Sequence, residues 1–395
     1  MTSSVDFFPP QQQPLLTRFV QSTCFFLMPQ LYRFQVSVSD EDVAQLRSLD
    51  DARLVYLFNH PTMEDGIAVF GFSARVGQLF NYIVARESFK GLLGKFIQAL
   101  GCYSIRRGVG DRASIAETLK LLKAPKCRVV IFPEGGCSYQ NDVVQPFRSG
   151  AIQMPLQVMA QLAKKAGPLP DLYVVPVSLK YRYTKPMGRV IERTLAGLEQ
   201  ALGITETAGD KYERLIAIAT RVLTRIETEY GLSTAPDLDW NQRIDRLRQH
   251  VIDRCEKELG LCSPPQNPLR ERVYKIQALL DAGEAQTDNS EAVYWTTVRL
   301  LNFEAIYDGY VAEHPTPERF LDTLMRLERE VYEIEHIKPK ADRRAYFKVG
   351  QPVNLKAYVA DFRKDKTGTV EQLTQALRTE VQTNLNHLAA ARQSL

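Results

Sequence analysis

Long apolar runs are scarce in this sequence. The longest uncharged one near the N-terminus, Phe19 to Tyr32 between Arg18 and Arg33, has 14 residues, whereas a helix needs about 20 to cross a hydrocarbon core. It is too short to span a bilayer. With Phe19, Phe25, Phe26, Leu27, Met28 and Leu31 it fits an arm packed on the protein as well as a helix lying in a membrane interface. The six cysteines (Cys24, Cys102, Cys127, Cys137, Cys255 and Cys262) are scattered, without CxxC or zinc-ligand spacing, which argues against a disulfide framework. No signal-peptide pattern precedes them, so reduced thiols in a cytoplasmic protein are expected. G-x-S-x-G is absent, and so is any low-complexity tract.

What is present is the composition of a globular protein: 395 residues, 45% apolar and 24% charged, enough for one large domain or two. The net charge of +4 conceals an asymmetry. Residues 190–336 hold 17 Lys and Arg against 27 Asp and Glu, a net −10, which leaves 33 against 19, a net +14, in the rest of the chain. A basic section favours anionic partners such as phosphates, anionic lipid or an acidic carrier protein.

The hydrophobic pattern predicts strands at 52–59, 81–85, 102–106, 127–132 and 171–179, with helices between them at 66–80, 89–101, 111–124 and 149–167. Strands alternating with helices imply a mixed, mostly parallel sheet flanked by helices. From 190 to 336 the periods are helical, with breaks at 233–239, 262–268, 281–290 and 314–317; strand character returns at 344–355, before a helix over 369–392. The expected organisation is an N-terminal arm (1–48), an α/β core (49–189), an acidic all-helical insertion (190–336) and the core's final strand and helix (337–395).

Three stretches carry chemistry. "VYLFNHPTMEDG" runs a buried strand into His60, with Asp65 five positions on. On a continuous helix those side chains would point about 140° apart, but Pro61 disfavours the α conformation at His60 and lets Asp65 fold back. A carboxylate on one imidazole nitrogen leaves the other as a general base; alone, the pair is also what a satisfied turn histidine looks like. "VVIFPEGG" places Glu134 and Gly135 where a strand ends, and "GCYSIRRG" does the same for Arg106 and Arg107. Ligands of open α/β sheets bind at such strand ends, and arginine's planar fork suits a phosphate. Solvated turns and structural ion pairs are the plainer readings of both. "GVGDRA" (108–113) is read as a turn and helix start, "HPTMED" lacks the partner ligands of a metal site, and His250, His314, His336 and His387 are read as structural. The acidic neighbours of "WNQRIDRLRQHVIDR" argue against nucleic acid.

His-x4-Asp, then Gly-x5-Arg, then Phe-Pro-Glu-Gly, then "VVPVSL" is a succession that resembles the glycerolipid acyltransferases, the PlsC-like enzymes that acylate glycerol-3-phosphate or lysophosphatidate. The resemblance covers roughly residues 50–185, and "FKVGQPVNL" (347–355) is similar to the end of the same catalytic domain. It implies His60 as the base that activates an acceptor hydroxyl, Asp65 as its orienting carboxylate, and Arg107, Glu134 and Gly135 as the acceptor's polar contacts. Asn59 and the backbone N–H groups of 60–66 are candidates for the oxyanion. The implied donor is acyl carrier protein or coenzyme A carrying an acyl thioester, with no cofactor or metal. The implied acceptor is a glycerolipid precursor, met at a membrane surface to which the protein binds peripherally.

One departure bears on the acceptor. Many relatives continue Glu-Gly-Thr-Arg, where this chain has Gly136 and Cys137; Arg148 in "PFRSGA" and Arg106 are candidates to restore positive charge. The departure leaves room for a non-phosphorylated alcohol as acceptor, or for a non-catalytic lipid- or acyl-carrier-binding protein on the same fold.

Overall fold

The computed structural model describes residues 7–205, 209–233, 237–264, 267–284, 287, 289–304 and 307–390. The breaks expected at 233–239, 262–268 and 281–290 lie partly outside these residues, as do positions 391 and 392 of the expected last helix. The chain divides into two compact units: Met1–Arg106 with Gly110–Arg182 and Asp342–Leu395, and Arg107–Val109 with Tyr183–Ala341.

In chain order the first unit contributes α1 (Pro14–Tyr32), β1 (Phe34–Val38), α2 (Asp40–Arg47), β2 (Arg53–Phe58), α3 (Asp65–Val76), β3 (Asn81–Ala85), α4 (Gly91–Ala99), β4 (Cys102–Ile105), α5 (Arg112–Lys123), β5 (Arg128–Ile131), α6 (Gly150–Leu162) and β6 (Leu172–Tyr183). The helical unit follows as α7 (Gly188–Leu202), α8 (Lys211–Glu229), α9 (Trp240–Glu258), α10 (Leu269–Ala282), α11 (Ser290–Phe303), α12 (Tyr310–Glu313) and α13 (Pro317–Tyr332). The chain then returns through β7 (Arg343–Val349), β8 (Val353–Asn354), α14 (Val359–Lys364) and α15 (Lys366–Ala390).

The eight strands form one sheet in the order β1-β7-β6-β2-β5-β3-β4, with β8 antiparallel on β6. The pairs β1·β7, β2·β6, β2·β5, β3·β5 and β3·β4 are all parallel. β2 is central and reads as an unbroken apolar run because both its faces are covered. Leu54, Tyr56 and Phe58 join one apolar layer with Met28, Val69 and Phe72, whereas Val55 and Leu57 join the other with Leu156, Phe362 and Leu373.

Residues 34–47, expected within an arm, instead supply β1 and α2. "FQVSV" is short and half polar, which fits an edge strand. It is anchored by pairing with β7, more than 300 residues away, Phe34 lying opposite Arg343. Close approach of α1 and β1 to α3 requires Gly71: a Cβ there would lie 2.8 Å from Val36 Cγ2 and 2.9 Å from Met28 Sδ.

β6 outlasts its neighbour β2, whose last partner is Val177. Beyond that point two asparagine side chains take over the ladder. Asn59 donates to the Leu179 carbonyl at 2.9 Å and accepts from its N–H at 2.7 Å. Two residues on, Asn141 repeats the pattern with Tyr181, at 2.6 Å and 2.8 Å. Both amides are buried, so each stands in for the peptide group of a missing strand.

The helical unit is held by carboxylates buried against arginines. Arg214 binds both oxygens of Glu199 at 2.7 Å, and Arg272 binds those of Glu256 at 3.0 and 2.7 Å. Such forked pairs hold α7 to α8 and α9 to α10.

Replacing Asn141 by Leu would leave the N–H and carbonyl of Tyr181 buried and unpaired. The expected cost is about 1–3 kcal/mol, read as a lowered urea midpoint at unchanged slope.

Candidate active site

Every parallel strand ends at the same edge of the sheet, and the candidate residues gather there. β2 and β5 are neighbours in register, Leu57 beside Ile131, so the residues that follow them, His60 and Glu134, leave the sheet side by side. The His60 N–H donates to Glu134 Oε1 at 2.8 Å, and the Gln145 N–H donates to Oε2 at 3.2 Å. Ser138 donates to the His60 carbonyl from its N–H at 2.8 Å and from its hydroxyl at 3.2 Å. The histidine backbone is therefore clamped from both sides by the turn after β5.

Between His60 and α3 the chain bends as Pro61 requires, and Asp65 folds back. Its Oδ2 lies 2.7 Å from His60 Nδ1. The Thr62 N–H reaches the same oxygen at 2.9 Å, and the Thr62 hydroxyl reaches Oδ1 at 2.7 Å. The Tyr181 hydroxyl, from β6, also donates to Oδ1, at 2.9 Å. Asp65 is fully buried, and the His60 side chain is 19% exposed. A carboxylate is an acceptor, so Nδ1 carries the proton and Nε2 keeps its lone pair. Phe132 covers the imidazole, with ring centroids 4.5 Å apart.

Burial pushes the Tyr181 phenol well above its ordinary range, and the Asp65 charge pushes it further. Tyr181 is thus a neutral donor to Asp65 at neutral pH.

Glu134 is buried, and its two oxygens take backbone N–H groups, so its geometry is that of a brace beneath the histidine. Gly135 follows with φ of +76°, a conformation that favours glycine. The Arg148 side chain lies over it: a Cβ at Gly135 would fall 2.3 Å from Arg148 Nε. The turn thus brings Glu134, Gly135 and Arg148 together beside His60. Arg106 gives its backbone N–H to Asp111, the N-cap of α5, at 2.8 Å. Arg107 clusters with the helical unit, where its guanidinium stands 4.4 Å over the ring of Tyr274. Asn59, an oxyanion candidate, is buried with its amide bonded to both backbone groups of Leu179.

Sequence reasoning missed Thr62, Ser138 and Tyr181. Thr62 carries a local signal, a hydroxyl three residues before the carboxylate it caps. Tyr181 carries none, being brought in by the β2·β6 pairing alone.

The buried tyrosines give the site's unit an alkaline limit. Burial raises Tyr56, Tyr82, Tyr103 and Tyr181 above the ordinary phenol value of 10.0. Stability is therefore fully present below pH 10 and falls as the unfolded phenols ionise above it, by about 1.4 kcal/mol per pH unit for each tyrosine. Urea midpoints followed from pH 9 to 11.5 should decline more steeply for the native chain than for Tyr103→Phe.

No curated protein matches the chain. Residues 35–180 match the model of the family described as Acyltransferase, a span that includes His60, Asp65, Glu134, Gly135 and Arg148 and leaves out the helical unit from Tyr183 on. The α/β unit therefore carries, over residues 35–180, a domain of the Acyltransferase family.

Proposed function

We propose that the protein transfers a fatty acyl group from an acyl thioester, on acyl carrier protein or coenzyme A, to a hydroxyl of a glycerolipid precursor such as lysophosphatidate or glycerol-3-phosphate. The observation that carries this reading is the 2.7 Å contact of His60 Nδ1 with a buried Asp65. It fixes the tautomer that leaves Nε2 basic. His60 takes the acceptor's hydroxyl proton as the oxygen attacks the thioester carbonyl. The C–O bond forms, the C–S bond breaks, and the imidazolium returns its proton to the departing thiolate. Asp65 stabilises the imidazolium in between. No acyl-enzyme is needed, because the nucleophile belongs to the substrate.

Arg148, packed over Gly135, is the cation that the turn offers to an acceptor's phosphate, with Arg106 a second candidate. Gly136 and Cys137 stand where relatives carry a further arginine, and that departure favours a second acceptor class, an alcohol without phosphate.

Peripheral membrane binding is supported by an inside-out helix. α1 buries Thr17 and Gln21 beside Cys24 and Met28, the glutamine donating to Ser73 Oγ and the Gln78 carbonyl at 2.9 Å. The same helix leaves Leu15, Phe19, Phe26 and Leu31 at least 66% exposed. α4 adds exposed Leu92, Leu93 and Phe96, with exposed Lys90 and Lys95 beside them in the chain. Neither helix contains an Asp or Glu, which suits an anionic lipid interface. Among the described residues no helix is long and apolar enough to cross a membrane.

His60→Ala is expected to lower transfer by about 10²–10⁴-fold with an unchanged circular dichroism spectrum; full turnover by that variant would remove the mechanism. Assays with acyl-carrier-protein and coenzyme A thioesters against phosphorylated and neutral acceptors separate the donor and acceptor classes. Phe19→Ser with Phe26→Ser should reduce co-sedimentation with anionic vesicles, and added salt should weaken what remains. Unchanged sedimentation would exonerate α1.

A further inference from the structure

Four donors converge on Asp65, and one of them comes from an unexpected direction. His60 and Thr62 are its chain neighbours, but Tyr181 is not. Tyr181 stands two residues before the end of β6, its backbone held by Asn141 and its ring edge-on to Phe34 at 5.7 Å between centroids. Over the same ring, at 4.6 Å, lies the guanidinium of Arg343, the first residue of β7. Arg343 is buried, with Nη2 3.6 Å from Glu64 Oε2.

We propose that Tyr181 is a positioning residue of the acyl-transfer dyad, held by Arg343, and that its hydroxyl sets how strongly Asp65 draws protons onto His60. This inference rests on the reading of His60 as the base and adds a control on its basicity.

Asp65 couples the Tyr181 hydroxyl to the imidazole through its charge. Its carboxylate is sealed from water, so protein donors alone neutralise it. Each donor spreads its negative charge and lowers the attraction it exerts on an imidazolium at Nδ1. Removing the Tyr181 hydroxyl concentrates charge on Asp65 and favours protonated His60. Arg343 acts in the same sense, since a cation over the ring face makes the phenol a better donor and fixes its plane. The other charged groups around the dyad are Glu134, beneath the His60 N–H, Glu64, beside Arg343, and Arg148, over Gly135 in the turn after β5. The two carboxylates are acceptors and cannot replace the lost bond, and the field of Arg148 is common to the native chain and the Tyr181→Phe variant.

Tyr181 and Arg343 also share a place in the chain's organisation. The helical unit is inserted between β6 and β7, leaving after Arg182 and returning at Asp342. Tyr181 and Arg343 are the residues just inside those two junctions. The brace on Asp65 is therefore built from the two strand ends that carry the insertion.

Tyr181→Phe tests the inference with the loss of one oxygen atom and the ring retained. The imidazole C–H resonance of His60, identified by its absence in His60→Gln, is followed by NMR against pH in the native chain and in Tyr181→Phe. The expected result is a midpoint higher by about one pH unit, with the acidic limb of kcat/KM moved in parallel. At neutral pH kcat falls severalfold while KM changes little. Arg343→Met, with the hydroxyl intact, should move the midpoint in the same direction by less. An unchanged midpoint in Tyr181→Phe would overturn the inference even where His60→Ala abolishes transfer. Retained transfer by His60→Ala would remove the base assignment instead, and the NMR midpoint would still decide whether Tyr181 tunes the imidazole.

Discussion

A carboxylate that water cannot reach is the constraint around which the active end of this protein is organised. Placing Asp65 in the interior would cost several kcal/mol if it were unpaired. The structure meets that cost with four donors from three residues, two of which, Thr62 and His60, sit within five positions of it. The same bonds that make the buried charge tolerable fix the imidazole's tautomer. Stability and chemistry thus rest on one set of contacts, and the bend at Pro61 is what allows them to form.

The sheet supplies the rest by geometry. Because β2, β5 and β6 run parallel, their carboxyl ends meet at one edge, and residues far apart in the chain become neighbours there. Glu134, Ser138 and Gln145 hold the turn after β5 to the backbone of His60, while Asn59 and Asn141 tie the same region to the overhanging end of β6. Polar side chains at this edge do two kinds of work, and most of them complete the backbone ladder. Asn59 and Glu134, polar residues beside His60, are accordingly bonded to main-chain groups.

The two units differ in how they are held. The α/β unit relies on apolar layers on both faces of the sheet. The helical unit adds buried arginine–glutamate forks between successive helices. α1 shows the opposite inversion, with the Gln21 amide turned inward and its phenylalanines outward.

The alternation of apolar runs with helical periods was enough to give the α/β class, the central strands and the helical interruption, because strands buried on both faces cannot tolerate polar residues. The strand-end positions of His60, Glu134 and Arg106 were legible for the same reason: apolar runs stop where the sheet stops. β1 was not, since a five-residue edge strand with one exposed face carries little pattern, and its partner lies beyond the insertion. Tyr181 and Arg343 were not, because nothing local distinguishes a tyrosine that fills space from one whose hydroxyl reaches a carboxylate. Sequence alone determined which groups could do acid–base work, since side-chain chemistry is local. Which of them face one another was decided by the tertiary structure, because hydrogen bonds form across strands whose pairing spans hundreds of residues.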